Sequence, residues 1–362
     1  MKILMIVDDF AGGAGNIVQL LAKRLLDKGN EVSIFLTYKH SEPRYDLNGI
    51  HLFNVNVSVI TDNRFLKLRR MVAAVKRIIE MSGCELVISF LDNNNSLACL
   101  ALWNKNIPII VSERSNPLSI FPKFPWNYIR RFAYKRADVV TVQFDGFRKF
   151  DGNRYLKKCY VTHNIIEKPG MIKTEWREKK ISFVSLGRYA GIKRYDLMIR
   201  LFGRFSQGKD NVELHIFGDG ILNDDLQEEI KKTDAVGKVF LHNEIANVHE
   251  ELIKHSVYLM TSLQEGFPNA LCEALAVGLP AVVICCHDGI AKLVRNGENG
   301  FCVPEGNDGE FINAMERLAL SPEGRKKMGD RSRHIAGQYD IEVVMKEWDT
   351  CIGKAIENRQ NI

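Results

Sequence analysis

Short apolar runs alternate with longer amphipathic segments along the whole chain. In the first half the runs are KILMIV (2–7), EVSIFL (31–36), ELVISF (85–90), IPIIVS (107–112) and DVVTVQ (138–143), with NIVQLLAKRLLDKG (16–29) and SLACLALWN (96–104) among the helical segments between them. Near-continuous Val, Ile and Leu runs of strand length, each followed by a helical pattern, predict parallel strands covered on both faces. The rhythm breaks at HNIIEKPGMIKTEWREKK (163–180), where Pro169, Gly170 and a cluster of charges intervene. It resumes with ISFVSLG (181–187), VELHIFG (212–218), KVFLHN (238–243), VYLMTS (257–262), AVVIC (281–285) and GFCVP (300–304). Beyond Pro304 the pattern is mostly helical and ends in IEVVMKEWDTCIGKAIENR. The expected fold class is α/β, with two Rossmann-like doubly wound parallel-sheet domains, residues 1–165 and 166–340.

A chain of 362 residues exceeds the size at which one core stops growing, which agrees with two domains. A hydrophobic content of 46% with 26% charged residues is that of a folded protein. The longest apolar stretch, LAVGLPAVVICC, falls short of the roughly 20 residues a bilayer span needs and is broken by Gly278 and Pro280. The opening MKILMIVDDF reads as a first buried strand and not as a signal peptide, because Asp8 and Asp9 cut its apolar run. Eight scattered cysteines without CxxC or Cys/His spacing read as small core residues in a reducing compartment, and the expected location is cytoplasmic.

The net charge of +6 conceals an asymmetry: residues 1–168 hold 25 Lys+Arg against 15 Asp+Glu, the remainder 25 against 29. Much of the excess lies in RFLKLRRMVAAVKRIIEM (64–81) and FPKFPWNYIRRFAYKRAD (121–138), where cations alternate with apolar and aromatic residues. Two solvated helix faces are the plain reading; an anionic membrane surface is the functional one, since basic residues favour anionic lipid and neighbouring apolar groups enter the headgroup layer. No nucleic-acid partner is expected, as no RNP, KH or zinc-finger pattern accompanies the charge.

Open parallel sheets bind ligands at the carboxyl ends of their strands, so the residues that follow each run carry the chemistry. In the second domain these are Arg188 and Lys193 after ISFVSLG, Gly218, Asp219 and Gly220 after VELHIF, and LQEGFPN after VYLMTS, with Glu265 in the loop and Pro268 in the first helical turn. Two cations, a glycine turn and the free amides of a helix start describe a diphosphate site. Glu265 would stand at the helix mouth and Glu273 about a turn and a half inside. A nucleotide sugar folded over its diphosphate would offer sugar hydroxyls to Glu265 and ribose hydroxyls to Glu273, with Gly266, Phe267, Pro268 and Asn269 against the phosphates. The plain alternatives are helix-start acids, exposed loop cations and an ordinary Gly-Asp-Gly turn. His163, His215, His242 and His287 show no metal-ligand spacing and read as structural or peripheral; the absence of any Asp-x-Asp argues against a metal-bridged diphosphate, so no metal and no cofactor is expected.

EGFPNALCEALAVGLP resembles the Glu-x7-Glu segment of retaining glycosyltransferases of family 4, which have the GT-B architecture of two such domains facing a central cleft. The resemblance extends in order through SLGRYAGIKRYDLMI, IFGDG, VFLHNEIANVHEEL and RNGENGFCVPEGND. It implies that Arg188 and Lys193 hold the donor diphosphate, Glu265 with its following amides the transferred sugar, and Glu273 the ribose. It also implies an acceptor-binding first domain onto which the final helix, about 341–362, returns. There, FAGGAGNIVQLLAKRLLDKGNEV resembles the opening Gly-Gly loop and helix, with Gly12 and Gly13 near the phosphates. VSERSNP (111–117) resembles an acceptor-side segment, and SFLDNNN (89–95) follows a strand; Asp92, Asn93, Glu113 and Arg114 are the acceptor-side candidates. The reaction implied is transfer of a sugar, UDP-linked and of the N-acetylhexosamine type, to a glycan or polyprenyl-linked acceptor with retention, by an enzyme of polysaccharide, lipopolysaccharide or capsule biosynthesis peripheral on the inner face of the plasma membrane. Readings from other classes are a catalytically silent nucleotide-sugar-binding partner subunit and an NAD-dependent dehydrogenase, although GGAGNIV lacks the G-x-G-x-x-G spacing of the latter.

Overall fold

The computed structural model describes residues 1–38, 41–54, 64–119 and 124–361, so that residues 121–123 of the second basic segment lie outside the described residues. The chain forms two compact units, Met1–Ile165 with Glu342–Ile362, and Ile166–Ile341.

The first unit runs β1 (Lys2–Val7), α1 (Gly12–Asp27), β2 (Glu31–Leu36), β3 (His51–Asn54), α2 (Arg64–Ser82), β4 (Leu86–Phe90), α3 (Asp92–Ala101), β5 (Ile109–Ser112), α4 (Trp126–Ala133), β6 (Val139–Val142) and β7 (Cys159–Val161). Among the described residues it holds a seven-stranded sheet in the order β3-β2-β1-β4-β5-β6-β7, every pairing parallel. Its outermost strands were not expected from the apolar pattern. β3 and β7 are three or four residues long, and each is paired on one side only, so neither needs an apolar run to satisfy burial.

The second unit runs β8 (Ile181–Leu186), α5 (Tyr195–Phe205), β9 (Val212–Phe217), α6 (Asn223–Lys231), β10 (Val239–His242), α7 (Val248–Leu252), β11 (Val257–Met260), α8 (Asn269–Val277), β12 (Ala281–Ile284), α9 (Asp288–Leu293), β13 (Gly300–Val303), α10 (Asp308–Leu320) and α11 (Pro322–Ala336). Its parallel sheet is ordered β10-β9-β8-β11-β12-β13. Phe183 of β8 meets Phe202 and Phe205 of α5 with ring centroids 5.7 and 5.2 Å apart, which locks the first crossover helix to the sheet.

The closing helix α12 (Ile341–Gln360) belongs to the first unit through all but its first residue. Trp348 is fully buried beside Phe90, Lys28 pairs with Asp349, the His163 ring contacts Glu347 at 2.7 Å, and Arg359 donates to Asp138 at 2.6 Å. These contacts attach the helix along its length.

Two sequence expectations need correction. Cys285 and Cys302 are joined in a disulfide, because the parallel register of β12 on β13 sets Ile284 opposite Val303 and brings together residues 17 apart. The remaining six are free, five of them buried and Cys286 half-buried. The basic charge of 121–138 is also partly interior: Arg130 and Arg136 are buried, and Arg131 pairs with Asp151 at 2.7 Å. What the α4 segment shows to solvent is chiefly aromatic, with Phe124, Tyr128 and Phe132 exposed and Phe132 stacked on Trp103 at 4.5 Å. Apart from Lys135, which is exposed just after α4, the exposed cations of the described part of the two segments sit on α2, at Lys67, Arg69, Arg70, Lys76 and Arg77. Among the described residues no helix is long and apolar enough to cross a membrane.

Replacing Trp348 with Ala removes the largest buried side chain joining α12 to the first sheet. It is expected to destabilise the first unit by about 3–5 kcal/mol, read as a lowered urea midpoint; a change under 1 kcal/mol would show that α12 is not held by this contact.

Candidate functional site

In the second sheet the strand order reverses between β8 and β11. Crossovers leave these neighbours in opposite directions, so the loops at their carboxyl ends separate and open a crevice. The β8 loop carries Arg188 and a 3₁₀ turn, Gly191–Lys193; the β11 loop carries Glu265.

The two loops are joined by hydrogen bonds that sequence reasoning did not foresee. The Leu263 amide donates to the Ile192 carbonyl at 2.9 Å, and the Thr261 hydroxyl lies 3.0 Å from the carbonyls of both Lys193 and Arg194. On this join Lys193 Nζ reaches Glu265 Oε1 at 2.7 Å, with side-chain exposures of 25% and 11%. The two residues expected on different parts of a ligand therefore hold each other. The only signal for the join in the sequence was the polar Thr-Ser pair that ends VYLMTS. Arg188 is exposed, and among the described residues no ion pair engages it.

α8 starts at Asn269, one residue later than expected, so Pro268 is the residue before the helix and not in its first turn. The cap has no side-chain hydrogen bond and the first turn no acid; the first amide bonded within the helix is that of Cys272, which donates to the Pro268 carbonyl. The positive end of α8 therefore faces the Glu265 loop without compensation from an acidic side chain of its own first turn. Phe267 is buried edge-on to Tyr339 and anchors this loop, rather than offering a contact surface. Glu273 is half-buried one turn into the helix; the chamber beside Glu265 is lined by Pro268 to Leu271 and does not include it.

Gly218 and Gly220 are required by the protein itself. A Cβ at Gly218 would lie 2.0 Å from the Gly187 carbonyl oxygen, and one at Gly220 2.5 Å from that of Tyr189. The Gly-Asp-Gly turn is thus packed against the β8 loop, tied by the Tyr189 amide to the Asp219 carbonyl at 2.7 Å. Asp219 is the exposed member. On the opposite side, burial pushes the His287 imidazole below its usual range although it faces the Glu265 carboxylate and the backbone of Glu265 and Gly266, and its Nδ1 caps α9 by accepting the Gly289 amide. His215 and His242 bond to each other at 2.9 Å, and His163 holds α12, so these histidines have structural partners.

The first sheet has its own reversal, between β1 and β4. Gly12 and Gly13 are exposed in the first turn of α1, which has neither a side-chain cap nor an acid. Asp92 and Asn93 open α3 instead of lying in a loop, Asp92 accepting the Asn93 amide. Beside them Asn94 donates to Asp8 at 2.9 Å and accepts from Thr37, a polar cluster that the sequence reading passed over.

Arg114 and Glu113 are corrections. The Arg114 guanidinium donates to Ser112, to the carbonyl and hydroxyl of Thr162 and to Asn164, and lies 5.3 Å from the Trp348 ring. Four of its five N–H groups are spent inside the unit, leaving little for an acceptor. Glu113 is 4% exposed; it accepts from Tyr134 and lies 3.9 Å from Arg130. Burial pushes its carboxyl up to about 6 against the pull of Arg130 and Tyr134. Both residues point into the core because α4 and α12 supply their partners, and those contacts are distant in sequence.

Residues 170–335 match the family described as Glycosyl transferases group 1, and residues 11–148 match Glycosyltransferase Family 4. The chain belongs to these families and is a glycosyltransferase of the GT-B type. It is 26% identical to a Campylobacter jejuni enzyme named GalNAc-alpha-(1->4)-GalNAc-alpha-(1->3)-diNAcBac-PP-undecaprenol alpha-1,4-N-acetyl-D-galactosaminyltransferase, over 96% of this chain and 97% of that one. It is 24% identical to a second C. jejuni protein, N-acetylgalactosamine-N,N'-diacetylbacillosaminyl-diphospho-undecaprenol 4-alpha-N-acetylgalactosaminyltransferase, over 91% and 93%. Among solved structures, Anabaena HepE in complex with UDP and glucose superimposes with a TM-score of 0.82 at 17% identity, covering 98% of this chain and 99% of that one. This last likeness is one of fold.

Glu113 carries a pH signature. Its raised folded value favours the protonated form, so its contribution is present below about 4.5 and is lost as pH rises through about 6. Relative to wild type, Glu113→Gln is expected to gain about 2 kcal/mol of stability between pH 4.5 and 7, measured by urea unfolding across that range; a flat difference would show that the carboxyl titrates normally.

Proposed function

We propose that this glycosyltransferase moves a sugar from a UDP sugar to a hydroxyl of a polyprenyl-diphosphate-linked glycan, with retention of configuration and without a metal ion. The observation that carries the reading is the Lys193–Glu265 pair held against the amino end of α8, with Arg188 exposed beside it. A departing diphosphate gathers negative charge, and a lysine, an arginine and the amino end of a helix are donors for it. Lys193 turns from Glu265 to the phosphate as the donor enters, which frees Glu265 to accept from the sugar hydroxyls. Glu273, a turn inside α8, accepts from the ribose. Asp219 borders the same edge.

In this scheme the bond from the anomeric carbon to the diphosphate oxygen breaks, the acceptor oxygen bonds to the same face, and the acceptor proton passes to the leaving phosphate. Glu265 acts as a positioning group for the sugar and not as a covalent nucleophile. The choice of donor and acceptor is supported by the names of the C. jejuni relatives, which place N-acetylgalactosamine on undecaprenol-linked sugars. Asp92 and Asn93, exposed or half-exposed at the reversal point of the first sheet, are the acceptor-side residues in this reading.

Lys193→Ala and Glu265→Ala are each expected to lower turnover on the order of 10²–10³-fold, with the fold retained, in a radiolabelled UDP-sugar transfer assay run with and without EDTA. UDP is expected to raise the Tm of the wild type and less so that of Lys193→Ala. Wild-type rates in either variant would sink the scheme, and loss of activity in EDTA would sink its metal independence.

Such an acceptor sits in a bilayer, and we place the protein peripherally on the anionic cytoplasmic face. Support comes from the layer in which α3 packs between α2 and α4: cations on α2, and Trp103, Tyr128, Phe132 and Phe124 exposed towards the other end. Co-sedimentation with phosphatidylglycerol vesicles is expected to exceed that with phosphatidylcholine, to fall with salt, and to be lost in a Lys67→Glu/Arg70→Glu/Phe132→Ser variant. Equal binding to both lipids would rule the surface out.

A further inference from the structure

Behind the Lys193–Glu265 pair is a small enclosed chamber. Its polar lining comes from Ser185, Lys193, Tyr195, Thr261, Ser262, Glu265 and Asn269, and its volume is about 30 Å³. That is room for a water molecule, since a cavity needs roughly 10–15 Å³ of such volume to hold one.

One wall is chemically unfinished. Tyr195, the first residue of α5, is 4% exposed, and its hydroxyl, though near enough to the Ser185 side chain for a weak contact, makes no well-formed hydrogen bond among the described residues. An unmet buried hydroxyl is costly, on the order of 1–3 kcal/mol from protein mutational data. The position is also expensive to build. Arg194 before it is held left-handed at φ 52°, and Gly187 opposite leaves so little room that a Cβ there would stand 2.9 Å from the Tyr195 oxygen. Glu265, for its part, spends Oε1 on Lys193, while Oε2 has no protein partner among the described residues.

We infer that a single water occupies this chamber, accepting from the Tyr195 hydroxyl and donating to the Glu265 carboxylate, and that Tyr195 is therefore a positioning residue for the sugar-holding glutamate. The water supplies the third contact for a carboxylate that must release Lys193 to the incoming diphosphate. With the bridge in place Glu265 keeps its orientation when its cation leaves. The inference rests on the proposed role of Glu265.

Tyr195→Phe tests it, since the ring still fills its place and only the oxygen is lost. The expected result is a fall in kcat of at least tenfold with the donor KM within twofold. A dry chamber predicts the opposite: Tyr195→Phe would keep wild-type kcat and gain in Tm, and that result overturns the inference. Glu265→Gln run alongside separates the two levels. An inactive Glu265→Gln with a fully active Tyr195→Phe leaves the proposed reaction standing and removes the water. If Glu265→Gln turns over normally, the proposed reaction itself fails, and the water is then judged by crystallography alone. Wild-type crystals are expected to show density within hydrogen-bond reach of Tyr195 Oη and Glu265, absent in Tyr195→Phe; no such density in the wild type refutes the bridge.

Discussion

The join between the loops that follow β8 and β11 is the constraint on which the candidate site depends. Parallel strands buried on both faces leave polar side chains only at their ends, and the reversal between these two strands is where the ends diverge. Three backbone-directed hydrogen bonds close that gap, and the Lys193–Glu265 contact lies on them. The pair is neither a surface bridge, worth a few tenths of a kcal/mol to about 1, nor a dry one, whose breaking costs roughly 3–5. Its intermediate exposure suits the proposed exchange, in which Lys193 leaves Glu265 for a phosphate.

The same geometry explains why the amino end of α8 faces this gap. A chain that leaves β11, crosses an eight-residue loop and enters a helix at Asn269 must direct that helix's first amides at the sheet edge. An acid in the first turn would stabilise the helix by satisfying the dipole. Here the first turn has none, and the nearest acid, Glu265, is occupied by a lysine. Local helix stability is thereby given up at the point where the proposed diphosphate would sit.

The first unit uses its polar residues differently. Glu113, Tyr134, Asn95 and Arg114 stand at the carboxyl edge of β5 or one helix away, where a ligand role is the natural reading, yet they bond inward. Burial of this many polar groups is tolerable only because each finds partners on α4, β7 or α12. Arg114 in particular ties Thr162 and Asn164 at the end of the first domain to the Trp348 face of the returning helix.

Apolar runs of strand length, the break at 163–180 and the glutamates of EGFPNALCEALAVGLP were enough to read two parallel-sheet domains and the strand ends that matter, because burial on both faces writes itself into composition. β3 and β7 escaped that reading since edge strands need no apolar run, and Cys285–Cys302 escaped it since a bond between neighbouring strands depends on register. What the chain order determined by itself was which residues leave each strand. Whether Glu113 and Arg114 would face a ligand or the core, whether Lys193 and Glu265 would meet, and that Tyr195 would aim a hydroxyl behind them were decided only by tertiary contacts, because direction in three dimensions is set by partners far away in sequence.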